Sequence, residues 1–268
     1  MSVIEAFLLG LLQGLTEFLP VSSSGHLAIG KHLLGLNPAI VESPTFEIIV
    51  HIATALSIIV VFRKDIVGVV RGTFKCAWNA ETQYLTKIVV AMLPIAVIGV
   101  CFKDKVEALF TAGLLLVGAM LLFTALLLAL THFYKSKNPR SIGFIDALVI
   151  GLSQAVAILP GLSRSGTTIA TSLLLGNKKE EAAKFSFLIV LVPILGEAFL
   201  GILKGEFSSA ASGIGTVPLL VGFVTAFVVG TAACQFMVAL VKRTSLLWFA
   251  IYCAIVGSIT LVVQSLIV

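Results

Sequence analysis

From Leu109 to Leu130 the chain carries no charged side chain. The stretch is long enough to cross the ~30 Å hydrocarbon layer of a bilayer, for which about 20 helical residues suffice. The whole chain of 268 residues has the same character, with 59% hydrophobic and 12% charged residues and a mean hydropathy of +1.12. An average soluble domain carries about 25% charged residues. A soluble single-core protein is excluded, and the expectation is an all-α polytopic membrane protein. The first apolar stretch, Val3–Leu19, contains Glu5 and Glu17, follows no basic segment and precedes no small-residue cleavage site. It therefore reads as part of the fold and not as a cleaved signal.

The net charge of +5 would point to an anionic partner in a soluble protein. Here loop orientation accounts for most of the excess, and nucleic acid is not expected as a partner. Cys76, Cys101, Cys234 and Cys253 form no C-x-x-C pair and lie mostly in or beside apolar segments, which argues against a metal-thiolate site.

The chain repeats itself. Gly10-Leu-Leu-Gln13, Ser22-Ser-Ser24-Gly25 and Leu33-Leu-Gly35 reappear as Gly151-Leu-Ser-Gln154, Ser163-Arg-Ser165-Gly166 and Leu174-Leu-Gly176, always 141 positions later. Chance similarity between Leu/Gly-rich segments would not preserve a gapless register that includes Gln and a Ser-x-Ser-Gly core. Each copy is a short apolar arm, a polar Pro/Ser/Gly break and a second arm of about ten residues, the pattern of re-entrant hairpins at matching positions of two halves. Six better spanning candidates follow the hairpins: Phe46–Phe62, Tyr84–Phe102, Leu109–Tyr134, Ala183–Leu203, Val217–Leu240 and Leu246–Val268. The expected fold is one integral membrane domain over 1–268 with pseudo-repeat halves of about 1–134 and 142–268. Each half holds one re-entrant helical hairpin plus three transmembrane helices. An odd number of crossings inverts the second half, giving an inverted-topology repeat with both termini on one side.

Basic residues orient it. Arg63, Lys64, Arg71, Lys75, Lys87, Lys135, Lys137, Arg140, Lys178, Lys179, Lys184, Lys242 and Arg243 fall on one side; Lys31, Lys103, Lys105 and Lys204 fall on the other. The first side is cytoplasmic by the positive-inside bias, so both termini lie outside. Asp65–Thr82, with Arg71, Lys75 and Trp78 among apolar residues, reads as an interfacial cytoplasmic helix. Arg164 belongs to neither set, because it sits at the tip of the second hairpin, inside the membrane.

In this topology the tips Val21-Ser-Ser-Ser-Gly25-His26 and Gly161-Leu-Ser-Arg164-Ser-Gly166-Thr-Thr168 meet near the middle. Each opens a helix whose free N–H groups and positive dipole end attract an anion, and Ser22, Ser24, Gly25, Ser163, Ser165, Gly166, Thr167 and Thr168 are the candidate ligands. With the Arg164 guanidinium this describes a phosphate site. The structural reading of the same residues is capping, with Arg164 paired to Glu17 or a carbonyl, and the expense of an intramembrane Arg favours function. Gln13 and Glu17 share one helix face at i and i+4, and together offer oxygen ligands for a divalent cation, Mg or Ca. His26, beside the serine run, is a candidate for proton transfer or attack on phosphorus next to Ser23. His51 is open between a place behind the site and one in the core; His32 and His132 look peripheral. Glu197, taken as mid-span, is a candidate pocket-lining residue.

Gln13-Gly-Leu-Thr-Glu17-Phe-Leu-Pro-Val-Ser-Ser-Ser-Gly-His26 and Pro160-Gly-Leu-Ser-Arg-Ser-Gly-Thr-Thr168 resemble the two signature motifs of the bacterial undecaprenyl-diphosphate phosphatase family of the bacitracin-resistance type. The similarity in length and span pattern covers essentially the whole chain. The resemblance implies a bacterial plasma-membrane hydrolase that converts undecaprenyl diphosphate to undecaprenyl phosphate, recycling the carrier lipid of cell-wall synthesis. The site would open to the outer face and use a divalent cation. By motif position Glu17 would be a metal or phosphate-site acid with Gln13 as its partner. Ser23 and His26 would be candidates for nucleophile or proton transfer, and Ser163, Arg164 and Thr168 would bind diphosphate. Gln13 stands where many members carry Glu, which shifts the burden of a metal to Glu17. The partners expected are the polyprenyl diphosphate lipid and the bilayer, with a homodimer left open. The competing class is an alternating-access transporter or lipid-phosphate flippase, to which inverted repeats and a midplane anion site are equally suited. A carrier needs no nucleophile.

Overall fold

The computed structural model describes residues 1–37, 43–102, 109, 113–134, 136–203 and 213–267. The described residues form eleven α-helices, in order α1 (Val3–Phe18), α2 (Ser23–Leu33), α3 (Thr45–Val61), α4 (Arg63–Thr73), α5 (Ala80–Cys101), α6 (Gly113–Phe133), α7 (Phe144–Val156), α8 (Arg164–Leu174), α9 (Lys179–Leu203), α10 (Thr216–Arg243) and α11 (Leu247–Ile267). Five of them, α5, α6, α9, α10 and α11, are long and apolar enough to cross a membrane, and α3 with α4 makes a sixth candidate bent by 74°. Large apolar side chains such as Val100, Leu126, Phe199, Val228 and Ile255 stand exposed on the long helices. In lipid that surface is solvated, and helices satisfy their own backbone groups, so the chain is a multi-pass membrane protein.

The two hairpins are built from arms too short to span. At 1.5 Å per residue, α1 reaches only about 24 Å and α2 about 17 Å. Pro20 pushes Leu19 into extended backbone (ψ 142°) and so ends α1. Ser22 then caps α2, accepting from the Gly25 N–H at 3.2 Å, as Ser163 caps α8 by accepting from Gly166 at 3.0 Å. The chain turns back on itself, so that Gly30 of α2 lies against Leu9 and Leu12 of α1. The helices α2 and α8 have the same length and are offset by 141 positions at both ends.

Small residues let the hairpins pack tightly where apolar burial offers little drive. On α1, Gly10 lies against the backbone of Gly222, and Gly14 against Ala226 and Gly230 of α10; on α7, Gly151 lies against Ala91 of α5. The tips touch each other reciprocally, Gly25 against Gly161 and Gly166 against Pro20, positions that correspond under the same offset. The chief core behind the tips holds Phe18, Phe62 and Phe187, with Phe18 edge-on to Phe187 at 5.6 Å.

Three expectations need correction. The interfacial helix does not run over Asp65–Thr82: α4 stops at Thr73, Cys76 takes a positive φ of 49°, and Asn79 caps α5 by accepting from Thr82 at 2.8 Å. Lys31 is not a loop charge, since it is buried on α2 and bound to Glu47 at 2.6 Å. Glu197 is exposed close to the far end of α9, because that helix begins at Lys179 and carries the residue beyond the middle. Lys103, Lys105, Lys135 and Lys204 lie outside the described residues. Among the other basic residues, Lys184 pairs with Asp65, Lys242 with Glu180, and Arg140 bridges to Asn177, so α4, α9, α10 and the approach to α7 share one end of the molecule.

Candidate active site

The two tips line a narrow cleft formed by Glu17, Ser22, Ser23, Ser24, Leu162, Ser163, Arg164 and Ser165. Glu17 is delivered by the last turn of α1, one turn beyond Gln13. Its Oε2 accepts from Gln13 Nε2 at 2.9 Å and from Ser23 Oγ at 2.5 Å; its Oε1 accepts from Arg164 Nη2 at 3.3 Å. Gln13, Ser23 and Arg164 all donate to this buried carboxylate. Of the ion pair, the Glu17 side chain is 4% exposed and Arg164 21%, so the guanidinium is the member that opens to the cleft.

Backbone donors complete the cleft. The N–H groups of Ser23, Ser24, Arg164 and Ser165 open α2 and α8 and have no partner among the described residues. Gly25 and Gly166 spend theirs on the capping serines. Two helix N-termini and one guanidinium thus face one small space, which suits a phosphate group. Ser22 reaches its capping position with φ 72° and ψ 97°, a left-handed backbone in a residue other than Gly. Such strain costs on the order of 1–3 kcal/mol and is typical of functional turns.

The remaining candidates are placed differently. Ser24 and Ser165 lie 3.4 Å from their own capping serines, and Ser165 also donates weakly to the Glu17 and Leu19 carbonyls across the tip contact. Thr168 turns its hydroxyl back to the Arg164 and Ser165 carbonyls, and the buried Thr167 hydroxyl has no partner among the described residues. Both faces of His26 are engaged away from the cleft: Nδ1 lies 2.8 Å from the Ser22 carbonyl, and Nε2 lies 2.8 Å from the Tyr252 hydroxyl, whose ring stacks on it. Since a carbonyl can only accept, Nδ1 carries the proton and Tyr252 donates to Nε2. Glu197 is not among the lining residues.

Three residues join the site from positions that short motifs do not mark. His51, from α3, puts Nε2 3.6 Å from Glu17 Oε2 and 3.4 Å from Arg164 Nη2. Tyr252 comes from α11. Thr124, from α6, accepts the Ser163 N–H at 3.1 Å and fixes the second tip. Only His51 left a signal in the sequence, as a polar residue within an apolar span.

Residues 6–259 match the profile of the family described as "Bacitracin resistance protein BacA". The chain is 54% identical to an undecaprenyl-diphosphatase of Bacteroides fragilis over 265 residues, covering 98% of each chain. It is 51% identical to one of Bacteroides thetaiotaomicron, covering 98% of this chain and 100% of that one. A more distant relative of the same name, from Carboxydothermus hydrogenoformans, is 39% identical over 99% of this chain and 98% of its own.

Proposed function

The chain belongs to the bacitracin-resistance family, and on that premise we propose that it is an integral membrane phosphatase acting on undecaprenyl diphosphate. It releases inorganic phosphate and returns undecaprenyl phosphate to cell-wall synthesis. The observation that carries this reading is the 2.5 Å contact from Ser23 Oγ to Glu17 Oε2, made at the mouth of two helix N-termini beside Arg164. A hydroxyl held on a carboxylate is a nucleophile beside its base. Simple anion transport has no use for it.

In this mechanism Ser23 Oγ attacks the terminal phosphorus while its proton passes to Glu17 Oε2. The bond from that phosphorus to the bridging oxygen breaks, and the lipid monophosphate leaves, taking the proton from Glu17. Water then attacks the phosphoserine with Glu17 again as base, which frees phosphate and restores Ser23. Charge on the equatorial oxygens is met by Arg164 and by the N–H groups of Ser23, Ser24, Arg164 and Ser165. His26 and Tyr252 hold the first tip through the Ser22 carbonyl.

The donor set also suits a divalent cation. Gln13 Oε1 is buried with no partner among the described residues, and stands on the amide whose Nε2 binds Glu17. One carboxylate and one amide oxygen are the ligand types that Mg or Ca takes; here the amide turns Nε2 and not Oε1 to Glu17, and among the described residues no three His, Cys, Asp or Glu side chains cluster as a metal site. When bound, such a cation supplies electrostatic stabilisation of phosphate; Glu17 and Gln13 are the residues that would hold it.

The reciprocal tip contacts, the equal helices α2 and α8 and the glycine crossings of α1 on α10 and α7 on α5 support an inverted-topology repeat. With the charge bias, this reading puts both termini outside and opens the cleft to the outer face.

Purified protein in detergent, given a polyprenyl diphosphate, should release phosphate, and acid quenching of a single turnover should trap phosphate on Ser23. Ser23→Ala should abolish both signals. Absence of phosphate release by the native protein would sink the phosphatase reading.

A further inference from the structure

We propose that His51 is a positioning residue for the phosphate-binding guanidinium, acting through the lone pair on Nε2. The inference rests on the phosphatase reading above and assigns a task that neither signature motif contains. The Arg164 Nη2 group lies 3.3 Å from Glu17 Oε1 and 3.4 Å from His51 Nε2. Glu17 Oε2 lies 3.6 Å from the same Nε2, beyond hydrogen-bond distance, so the partner within reach is the guanidinium; it has donors only and does not deprotonate, and the ring nitrogen that accepts from it is the one without hydrogen. The ring proton therefore resides on Nδ1, which is buried and has no partner among the described residues.

That arrangement distinguishes His51 from a core histidine, whose two nitrogens are both normally satisfied. Here the one nitrogen with a partner is the one turned to the site. Glu17 alone would draw Arg164 into a simple ion pair along one edge. With His51 as a second acceptor, the two hydrogens of Nη2 are divided between a carboxylate oxygen and a ring nitrogen. Nε and Nη1, which have no partner among the described residues, are left for phosphate oxygens. The rigid α3 backbone sets the position, since His51 is 6% exposed and its helix is anchored by the Ser57 hydroxyl on the Phe227 carbonyl of α10 at 2.9 Å.

The test exploits side-chain length. Gln places an amide oxygen where Nε2 stands, whereas Asn reaches only to the level of Nδ1. Full-length H51Q, H51N and H51L are purified, and kcat, KM, thermal midpoint and inhibition by inorganic phosphate are measured for each. H51Q should keep kcat/KM within about threefold of the native protein. H51N and H51L should lose about ten- to a hundredfold, the range for a hydrogen bond to a charged group, with inhibition by phosphate weakened in parallel. Because the effect runs through Arg164, H51L combined with R164K should be no worse than R164K alone.

Equal activity of H51N and H51Q would overturn the proposal, as would native activity in H51L or multiplying losses in the double variant. If H51L does not fold, the comparison of H51Q with H51N decides. A separate arm uses the rise in thermal midpoint on adding inorganic phosphate, which H51Q should retain and H51N should lose. That arm reads His51 even if the native protein releases no phosphate from the lipid, an outcome that would count against the phosphatase reading alone.

Discussion

Glu17 and Arg164 are each costly inside a membrane, where a lone Arg at a helix centre costs at least about 2.5–3.5 kcal/mol. Held 3.3 Å apart they offset one another, and this raises the question of whether neutralisation is all that Arg164 provides. The two roles make opposite forecasts for Arg164→Lys. If the fork binds phosphate, the variant should fold yet lose two to three orders of magnitude in kcat/KM, since one strong transition-state donor is worth on the order of 3–4 kcal/mol. If it only balances Glu17, Lys should restore most activity, and phosphate release by variants matched for thermal midpoint decides. Glu17→Gln keeps the shape but removes the base, so it should abolish nearly all hydrolysis and any dependence on added Mg or Ca; turnover near the native rate would refute the assignment. The motif residues could be read from the sequence because they lie beside helix breaks and follow capping chemistry. His51 showed only as a polar residue within an apolar span, open between the site and the core, and Tyr252 not at all, because they reach the tips from α3 and α11, and nothing local in a helical stretch states which neighbour it will meet.

Among the elements, the helix crossings depend on glycines that the sequence displays without naming their partners. A Cβ at Gly151 would stand 2.3 Å from the Ala91 carbonyl oxygen, so α7 could not keep its distance from α5. Gly151→Val should lower stability by at least about 1–3 kcal/mol, the usual cost of overpacking. Gly68→Ala on the exposed face of α4 meets nothing within 4 Å and should be neutral or stabilising by up to about 1 kcal/mol. Thermal unfolding of the two variants in one detergent checks the contrast. The hairpin arms were legible because Pro20 and the serine caps are local signals. The early end of α4 was not: Glu81 packs against Gly72 across the turn, and Asn79 begins a new helix within a stretch whose composition alone suggests an unbroken interfacial one.

At the scale of the whole molecule, the charge bias and the odd number of crossings make a joint prediction about sidedness. Asn37 and Lys178 correspond under the 141-residue offset and are both exposed. In a background without native cysteines, Asn37→Cys should react with an impermeant thiol reagent from outside, and Lys178→Cys only from the cytoplasm. Labelling of both from one side would refute the inverted arrangement. Apolar lengths made the long helices legible, whereas their pairing depends on contacts between residues far apart in sequence, such as Ala91 with Gly151 and Gly10 with Gly222. The same offset shows how unlike the two tips have become: Ser23 corresponds to Arg164, Glu17 to Ile158 and His26 to Thr167. On the proposed repeat and mechanism the labour is divided, one half supplying the acid and the hydroxyl and the other the cation. A gene cut between Ser136 and Lys137 would therefore yield two inert fragments, and fragment complementation should revive hydrolysis only when both are made in the same membrane.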